Sequence, residues 1–255
     1  MRMRNESIAF IIGVIGNVTA TLVYASPTVT FYRIAKKKDS GSFSPIPYIT
    51  CLLSTSLWTY YGVIKPNGFL IASTCSIGML LQAFYIAIYI AYATVPKRMR
   101  AIKLLVISWI AFIAFLLSTL FGSSGDKRLT IIGYICAITS IISYASPLSI
   151  MRKVIATKSV EYMPLLLSLS IFVNGGTWVA YSFIVKDAFL GVPTGTGWLL
   201  GTLQLLLYVC YYERTPKKSN VVKTSFETIN ICTEGQEELG QTFKPEEARR
   251  QTEPC

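Results

Sequence analysis

Apolar residues in this chain fall into long, nearly uninterrupted runs, separated by short stretches of turn formers and charge. A membrane-spanning helix needs about 20 consecutive, mostly apolar residues. Runs of that kind cover 8–31, 45–64, 69–93, 102–121, 131–150, 163–185 and 189–211, so seven spanning helices are expected. The gaps hold residues that end helices, among them Lys36-Lys37-Lys38-Asp39-Ser40-Gly41, Lys65-Pro66-Asn67-Gly68 and Gly122-Ser123-Ser124-Gly125. The first run is longer than the apolar segment of a signal peptide and has no small-residue cleavage site after it, so it is read as a span that stays in the protein. From Glu213 onward Lys, Glu, Gln, Thr and Pro take over. A segment that polar cannot bury a core, and 213–255 is expected to be a disordered tail.

Composition agrees with the pattern. Of 255 residues, 52% are hydrophobic and 15% charged, against about 25% charged in a typical soluble domain. Histidine is absent, which excludes ordinary Cys/His zinc sites and histidine acid–base catalysis; no metal or cofactor is expected. The six cysteines show no CxxC spacing and read as isolated thiols packed like small hydrophobes. The net charge of +11 would suit nucleic acid, but its carriers sit in short loops between apolar runs. That placement points to lipid headgroups and topology instead. Six Lys and Arg lie on one side of the expected spans and fourteen on the other. The richer side, which includes the C-terminal tail, is expected to be cytoplasmic, with the N-terminus outside or in a lumen.

The chain repeats itself. Tyr24-Ala25-Ser26-Pro27 returns as Tyr144-Ala145-Ser146-Pro147, and Trp58 with Tyr61 returns as Trp178 with Tyr181, both 120 positions on. Ser40 with Pro47 is echoed by Ser159 with Pro164, and Cys75-Ser76-Ile77-Gly78 by Thr194-Gly195-Thr196-Gly197. Corresponding helices are four spans apart, an even number, so both copies share one orientation. The fourth span has no counterpart and serves as the inverting linker. The expected fold is an all-α membrane protein in a 3+1+3 plan: a first repeat over 8–93, a linker helix over 102–121 and a second repeat over 131–212.

With these residues in view, the chain resembles the SWEET family of sugar transporters over roughly 8–212. The resemblance rests on Gly16-Asn17, Ala25-Ser26-Pro27, Pro47-Tyr48, Trp58 through Gly62, Tyr144 through Leu148, Lys158 through Pro164, and Val192-Pro193. The run Leu57 through Gly62 is most similar to members assigned to the vacuolar membrane. The resemblance implies a bidirectional, facilitative carrier of neutral mono- or disaccharides working by alternating access. It also implies homo- or hetero-oligomers in a plasma or vacuolar membrane. Parallel repeats of this kind place the substrate between the halves, near the midplane.

The same resemblance makes Pro27, Pro47, Pro147 and Pro164 hinges. Proline removes a backbone donor and kinks a helix, although Pro47 and Pro164 equally suit a helix start. Trp58 and Trp178 are equivalent positions whose faces suit the apolar face of a sugar ring; lipid-interface anchoring is the plainer reading. Where relatives carry a pocket asparagine in each repeat, gapless matching gives Cys75 and Thr194, with Ser76 the alternative under a one-residue slip. A thiol and a single hydroxyl are poorer partners than an amide, which leaves an altered-substrate or non-transporting homologue as the second reading. Asn174 either lines the path or bonds a neighbouring helix. Tyr61 and Asp187 match a pair across the non-cytoplasmic mouth, although Asp187 beside Lys186 also reads as a solvated loop charge.

No enzyme is expected, because no nucleophile motif, carboxylate pair or phosphate loop is present. Of thirteen Asp and Glu, eight lie at or beyond Glu213, and the other five fall in loops or at helix ends. Proton-coupled carriers place an ionisable group inside the membrane, so uncoupled diffusion is expected. Two other seven-helix classes fit less well. Pro-Gln-loop amino-acid carriers have a dipeptide replaced here by Pro27-Thr28 and Pro164-Leu165, and signalling receptors have no reason for a four-span repeat.

Overall fold

Prolines and glycines decide where helices begin and break in the computed structural model. The structure describes residues 2–41, 43–160 and 165–212. Nine helical segments occur among them: α1 (Arg2–Ala25), α2 (Thr28–Lys37), α3 (Ile46–Ile64), α4 (Phe69–Tyr92), α5 (Val95–Gly122), α6 (Gly125–Ser143), α7 (Ala145–Thr157), α8 (Leu165–Val185) and α9 (Ala188–Tyr212). They make seven spans, because α1–α2 and α6–α7 are each one span interrupted near one end. The tail 213–255 and Pro164 lie outside the described residues.

Two expectations need correction. The first and fifth spans are not single helices of 8–31 and 131–150; they run over 2–37 and 125–157 with breaks at Ser26-Pro27 and Tyr144. The linker begins at Val95 rather than 102, started by Pro96 in its first turn. Hydropathy counting stops at charge, whereas a helix continues into the headgroup layer where Lys and Arg are solvated.

The first break shows how proline acts in an apolar setting. Pro27 offers no N–H to the preceding turn. The Ser26 amide instead bonds the Val23 carbonyl at 3.2 Å. The Tyr85 hydroxyl donates to the Tyr24 carbonyl at 3.2 Å and lies 2.7 Å from Thr28 Oγ1. Freed backbone groups are thus met by a neighbouring helix, as a medium without water requires. Pro147 is the third residue of α7, just after the second break, and Pro47 is the second residue of α3, after Pro45 at the N-cap. Pro47 therefore stands at a helix start.

In the first repeat α4 touches α1, α2 and α3, and α5 packs on α3, α4 and α6. The repeats meet where α1 packs on α8 and α3 on α6. Exchanging the repeats turns α1 into α6 and α8 into α3, so these two contacts are one interface occurring twice about a pseudo-twofold axis. Among the described residues, five spans are long and apolar enough to cross a membrane by composition. Outside that set are α3, which carries Trp58, and α9, which carries Thr194.

Two ends can be told apart. The gate face holds the start of α1 and the loops at 65–68 and 186–187. The hinge face holds both breaks and the α2–α3 connection. There Phe31 and Ile34 of α2 pack with Tyr85 and Tyr89 of α4, Ala93 and Ala101, and Phe31 stacks on Tyr85 at 4.7 Å.

Candidate functional site

Where the repeats meet lies a cavity of about 140 Å³. Its walls include all five residues expected there, Trp58, Cys75, Asn174, Trp178 and Thr194, together with Ala20, Tyr24, Thr74, Ser140, Tyr144 and Pro193. Cys75 lines it and Ser76 does not. Helical spacing explains the convergence. Ala20/Tyr24, Ser140/Tyr144 and Asn174/Trp178 are i, i+4 pairs, and 71, 74, 75 on α4 match 190, 193, 194 on α9, so each helix turns one face inward.

The polar groups on the two sides differ. The Trp58 indole N–H donates to Ser140 Oγ at 3.0 Å. The repeat equivalent of Ser140 is Ala20, which has nothing to accept a bond, and among the described residues the Trp178 N–H has no hydrogen-bond partner. The Tyr144 hydroxyl donates to the Pro193 carbonyl at 2.5 Å, whereas the Tyr24 hydroxyl has no partner among the described residues. Asn174 Oδ1 accepts from Thr19 Oγ1 at 3.1 Å, leaving its amide nitrogen unengaged. Thr194 Oγ1 donates to the Leu190 carbonyl at 2.7 Å, so its one hydrogen is directed into its own helix. Thr74 does the same to Leu70 at 2.9 Å. Trp178, Tyr24 and Asn174, on α1 and α8, therefore keep donors for a guest; the α3–α6 side keeps only the Ser140 hydroxyl hydrogen.

Tyr24 and Tyr144 also join the cavity to the breaks. Each packs on a glycine of the third helix of its repeat: a Cβ at Gly78 would lie 2.7 Å from the Tyr24 ring, and one at Gly197 would lie 2.6 Å from the Tyr144 oxygen. Sequence reading used these tyrosines as repeat markers and missed them as cavity walls. Pro27 and Pro147 do not line the cavity. A Cβ at Gly201 would lie 3.3 Å from the Phe172 backbone, so this glycine lets α9 approach α8 closely, while Gly197 serves Tyr144.

Towards the gate face the cavity is sealed. Trp58 meets Tyr61 edge-on at 5.4 Å, and Trp178 meets Tyr181 at 5.3 Å. The Tyr61 hydroxyl donates to both Asp187 carboxylate oxygens at 3.1 Å, and Lys65 forms an ion pair with Asp187. Asp187 Oδ1 also accepts the Leu190 amide at 3.1 Å, capping α9. Only 1% of the Asp187 side chain is exposed. It is no solvated loop charge, and a carboxylate so buried requires this compensation. Sequence reading counted Lys65 only as a topology marker, although it follows Tyr61 by four residues on one helix face. Outside the seal a hollow of about 280 Å³ is bordered by Glu6, Lys65, Asn67 and Tyr181. Towards the hinge face the cavity shares Ser140 and Tyr144 with a crevice of about 640 Å³ between the start of α3, including Pro47, and the end of α6.

Comparison with known proteins identifies this architecture. The family model described as "Sugar efflux transporter for intercellular exchange" matches twice, over residues 10–97 and 130–216. The chain is 45% identical over 210 residues to the bidirectional sugar transporter SWEET16 of Oryza sativa subsp. japonica, covering 82% of this chain and 64% of that one. It is 40% identical to the bidirectional sugar transporter SWEET17 of Arabidopsis thaliana, over 82% of this chain and 87% of that one. The 3.7 Å structure of a eukaryotic SWEET transporter superposes with a TM-score of 0.80 at 33% identity, covering 82% of this chain and 99% of the other.

Proposed function

The chain belongs to the family of sugar efflux transporters for intercellular exchange, and on that premise we propose that it is a bidirectional, facilitative carrier of neutral sugars. The observation that carries this reading is the cavity walled by equivalent residues of both repeats, sealed at the gate face and sharing Ser140 and Tyr144 with a crevice at the hinge face. That is half of an alternating-access cycle. The tryptophans supply flat apolar faces for the ring. The unengaged donors of Trp178, Tyr24 and Asn174 take its hydroxyls. The volume of about 140 Å³ resembles the ~150 Å³ apolar cavity that admits one benzene ring, so a single-ring sugar is favoured over a disaccharide in this state. No cationic side chain lines the cavity, which disfavours sugar phosphates.

Tyr61, Asp187 and Lys65 form the gate in this reading, and the breaks at Pro27 and Pro147 are the hinges. The charge asymmetry supports a cytoplasmic hinge face and a gate face turned outward or to a lumen. The run Leu57 through Gly62 favours the vacuolar membrane. Association into homo- or hetero-oligomers belongs to the same reading. The Asp187 carboxylate at the gate is neutralised by Lys65, so no proton coupling is expected.

Uptake of radiolabelled glucose, fructose and sucrose into proteoliposomes tests this, with Thr194→Asn and Cys75→Asn alongside. Saturable flux in both directions, unchanged when the pH gradient is dissipated, is expected. A rate that collapses with the pH gradient would overturn the uncoupled mechanism. A second reading, an altered-substrate or non-transporting homologue, is favoured by Cys75 and by the inward-turned Thr194 hydroxyl. Flux absent from the native chain but present with the asparagines would establish it.

A further inference from the structure

Away from the central cavity, the hinge face carries a hollow of about 180 Å³ enclosed by Phe43, Ser44 and Ile46 of the α2–α3 connection, Tyr89 of α4, and Lys97 and Arg100 of α5. Lys97, Arg100 and Leu104, at i, i+3 and i+7, present one face of α5 to it. No carboxylate lines it. The Lys97 ammonium donates to the Gly41 carbonyl at 2.6 Å. The Arg100 guanidinium makes no hydrogen bond or ion pair with any described residue. A guanidinium beside a hollow without a carboxylate offers a planar fork of donors suited to a phosphate.

The rim of the hollow narrows the choice of phosphate. Phe43 is 49% exposed and Ile46 44%, and on the same turns of α5 Val95 and Met99 are exposed as well. A free phosphate ion has no use for such an edge. A phospholipid does, with its headgroup on the cations and its chains along Ile46 and Leu104. Basic clusters next to a spanning helix attract anionic lipids in any case; here the cluster has a cavity and an apolar margin. We propose that this hollow is a binding site for an anionic phospholipid, its phosphate held by Arg100 and Lys97.

The location ties the site to the moving parts. The Tyr89 hydroxyl donates to the Phe43 carbonyl at 3.2 Å, and Lys97 holds Gly41. Ala101, fully buried, packs in the cluster that contains Phe31 and Ile34 of α2. A bound headgroup therefore fastens the connection between the Pro27 break and the start of α3 onto α4 and α5. It favours the arrangement that is closed at the gate face, to the extent that it binds that arrangement more tightly than the other. The proposal stands independently of which solute the central cavity carries.

The test uses the full chain in phosphatidylcholine nanodiscs containing a minor fraction of fluorescent phosphatidylinositol 4-phosphate. Saturable binding is expected, weakened at least tenfold in K97Q/R100Q, the scale for losing two charge-assisted contacts. K36Q/K37Q removes the same charge from the exposed end of α2 and is expected to change binding less than twofold. Equal losses in the two pairs would reduce the effect to diffuse attraction and overturn the site. Displacement of the lipid by millimolar inorganic phosphate would assign the hollow to a soluble anion and overturn the lipid. Because the Arg100 side chain bonds no described residue, Arg100→Gln alone carries the test if the double variant does not fold.

Discussion

The two repeats share a backbone plan and differ in how its side chains are used. Trp58 and Trp178 occupy equivalent places, each edge-on to a tyrosine three residues on. Yet Trp58 gives its N–H to Ser140, while Trp178, for which the equivalent of Ser140 is Ala20, keeps its own. Tyr61 is fastened to Asp187, while Tyr181 borders the outer hollow. Tyr144 is tied to Pro193, while Tyr24 is open. In the first repeat Asn17 bonds the carbonyls of Gly13 and Leu70 and accepts from Ser73; its counterpart in the second is Ala137. Duplication supplied a symmetric cavity, and single substitutions then divided the labour between its sides.

The largest effect is expected where the division is sharpest, at the gate. Asp187→Ala strands a largely buried Lys65 and removes the cap of α9. Breaking a buried pair this way costs about 3–5 kcal/mol, which a large fall in melting temperature of the purified protein would register. Tyr61→Phe removes a hydroxyl held by the Asp187 carboxylate, whereas Tyr181→Phe, its symmetric probe, removes one with no carboxylate to hold and is expected to shift stability by less than about 0.5 kcal/mol. Lys65→Ala combined with Asp187→Ala is expected to recover part of the loss, since neither charge is then left alone. Equal sensitivity at Tyr61 and Tyr181 would erase the distinction between the repeats.

Next in size is the pair of tryptophans. Trp178→Phe keeps the ring face and removes the open donor, so sugar binding is expected to weaken by about 1 kcal/mol, roughly five- to tenfold. Trp58→Phe removes an N–H already given to Ser140, and affinity is expected to stay within about twofold. Titrating sugar against intrinsic tryptophan fluorescence in each variant separates the two. Thr194→Asn comes third. It replaces a hydroxyl turned into its own helix with an amide long enough to reach the cavity, and is expected to tighten binding by up to about tenfold.

Much of this was legible before any coordinates. The 120-residue offset paired Trp58 with Trp178 and Tyr61 with Tyr181, and the apolar runs located all seven spans, because both signals are set by local composition. The breaks were legible as Pro27 and Pro147, but the length of helix on either side was not, since charged turns in the headgroup layer look like loops to a hydropathy count. What stayed hidden were partnerships between distant residues. Lys65 read as a loop charge until Asp187, 122 positions on, was seen beside it. Asn174 and Thr19, 155 apart, and Trp58 and Ser140, 82 apart, gave no local sign of each other. Cys75 and Thr194 could be placed in the cavity by register alone. That the Thr194 hydroxyl points back along its helix required side-chain geometry.

The smallest predicted effect is also the most specific to the asymmetry. If the sides differ because residue 140 is Ser and residue 20 is Ala, exchanging them should move the open donor from one tryptophan to the other. Ala20→Ser gives the Trp178 N–H an acceptor and is expected to weaken sugar binding about threefold, within the range for one neutral hydrogen bond. Ser140→Ala releases the Trp58 N–H and is expected to offset that loss when the two changes are combined. The double exchange would then bind nearly as well as the native chain, with the sensitivity to Trp→Phe transferred from position 178 to position 58. That transfer is the decisive readout, because a merely structural role for Ser140 predicts additive losses and leaves position 178 the sensitive one.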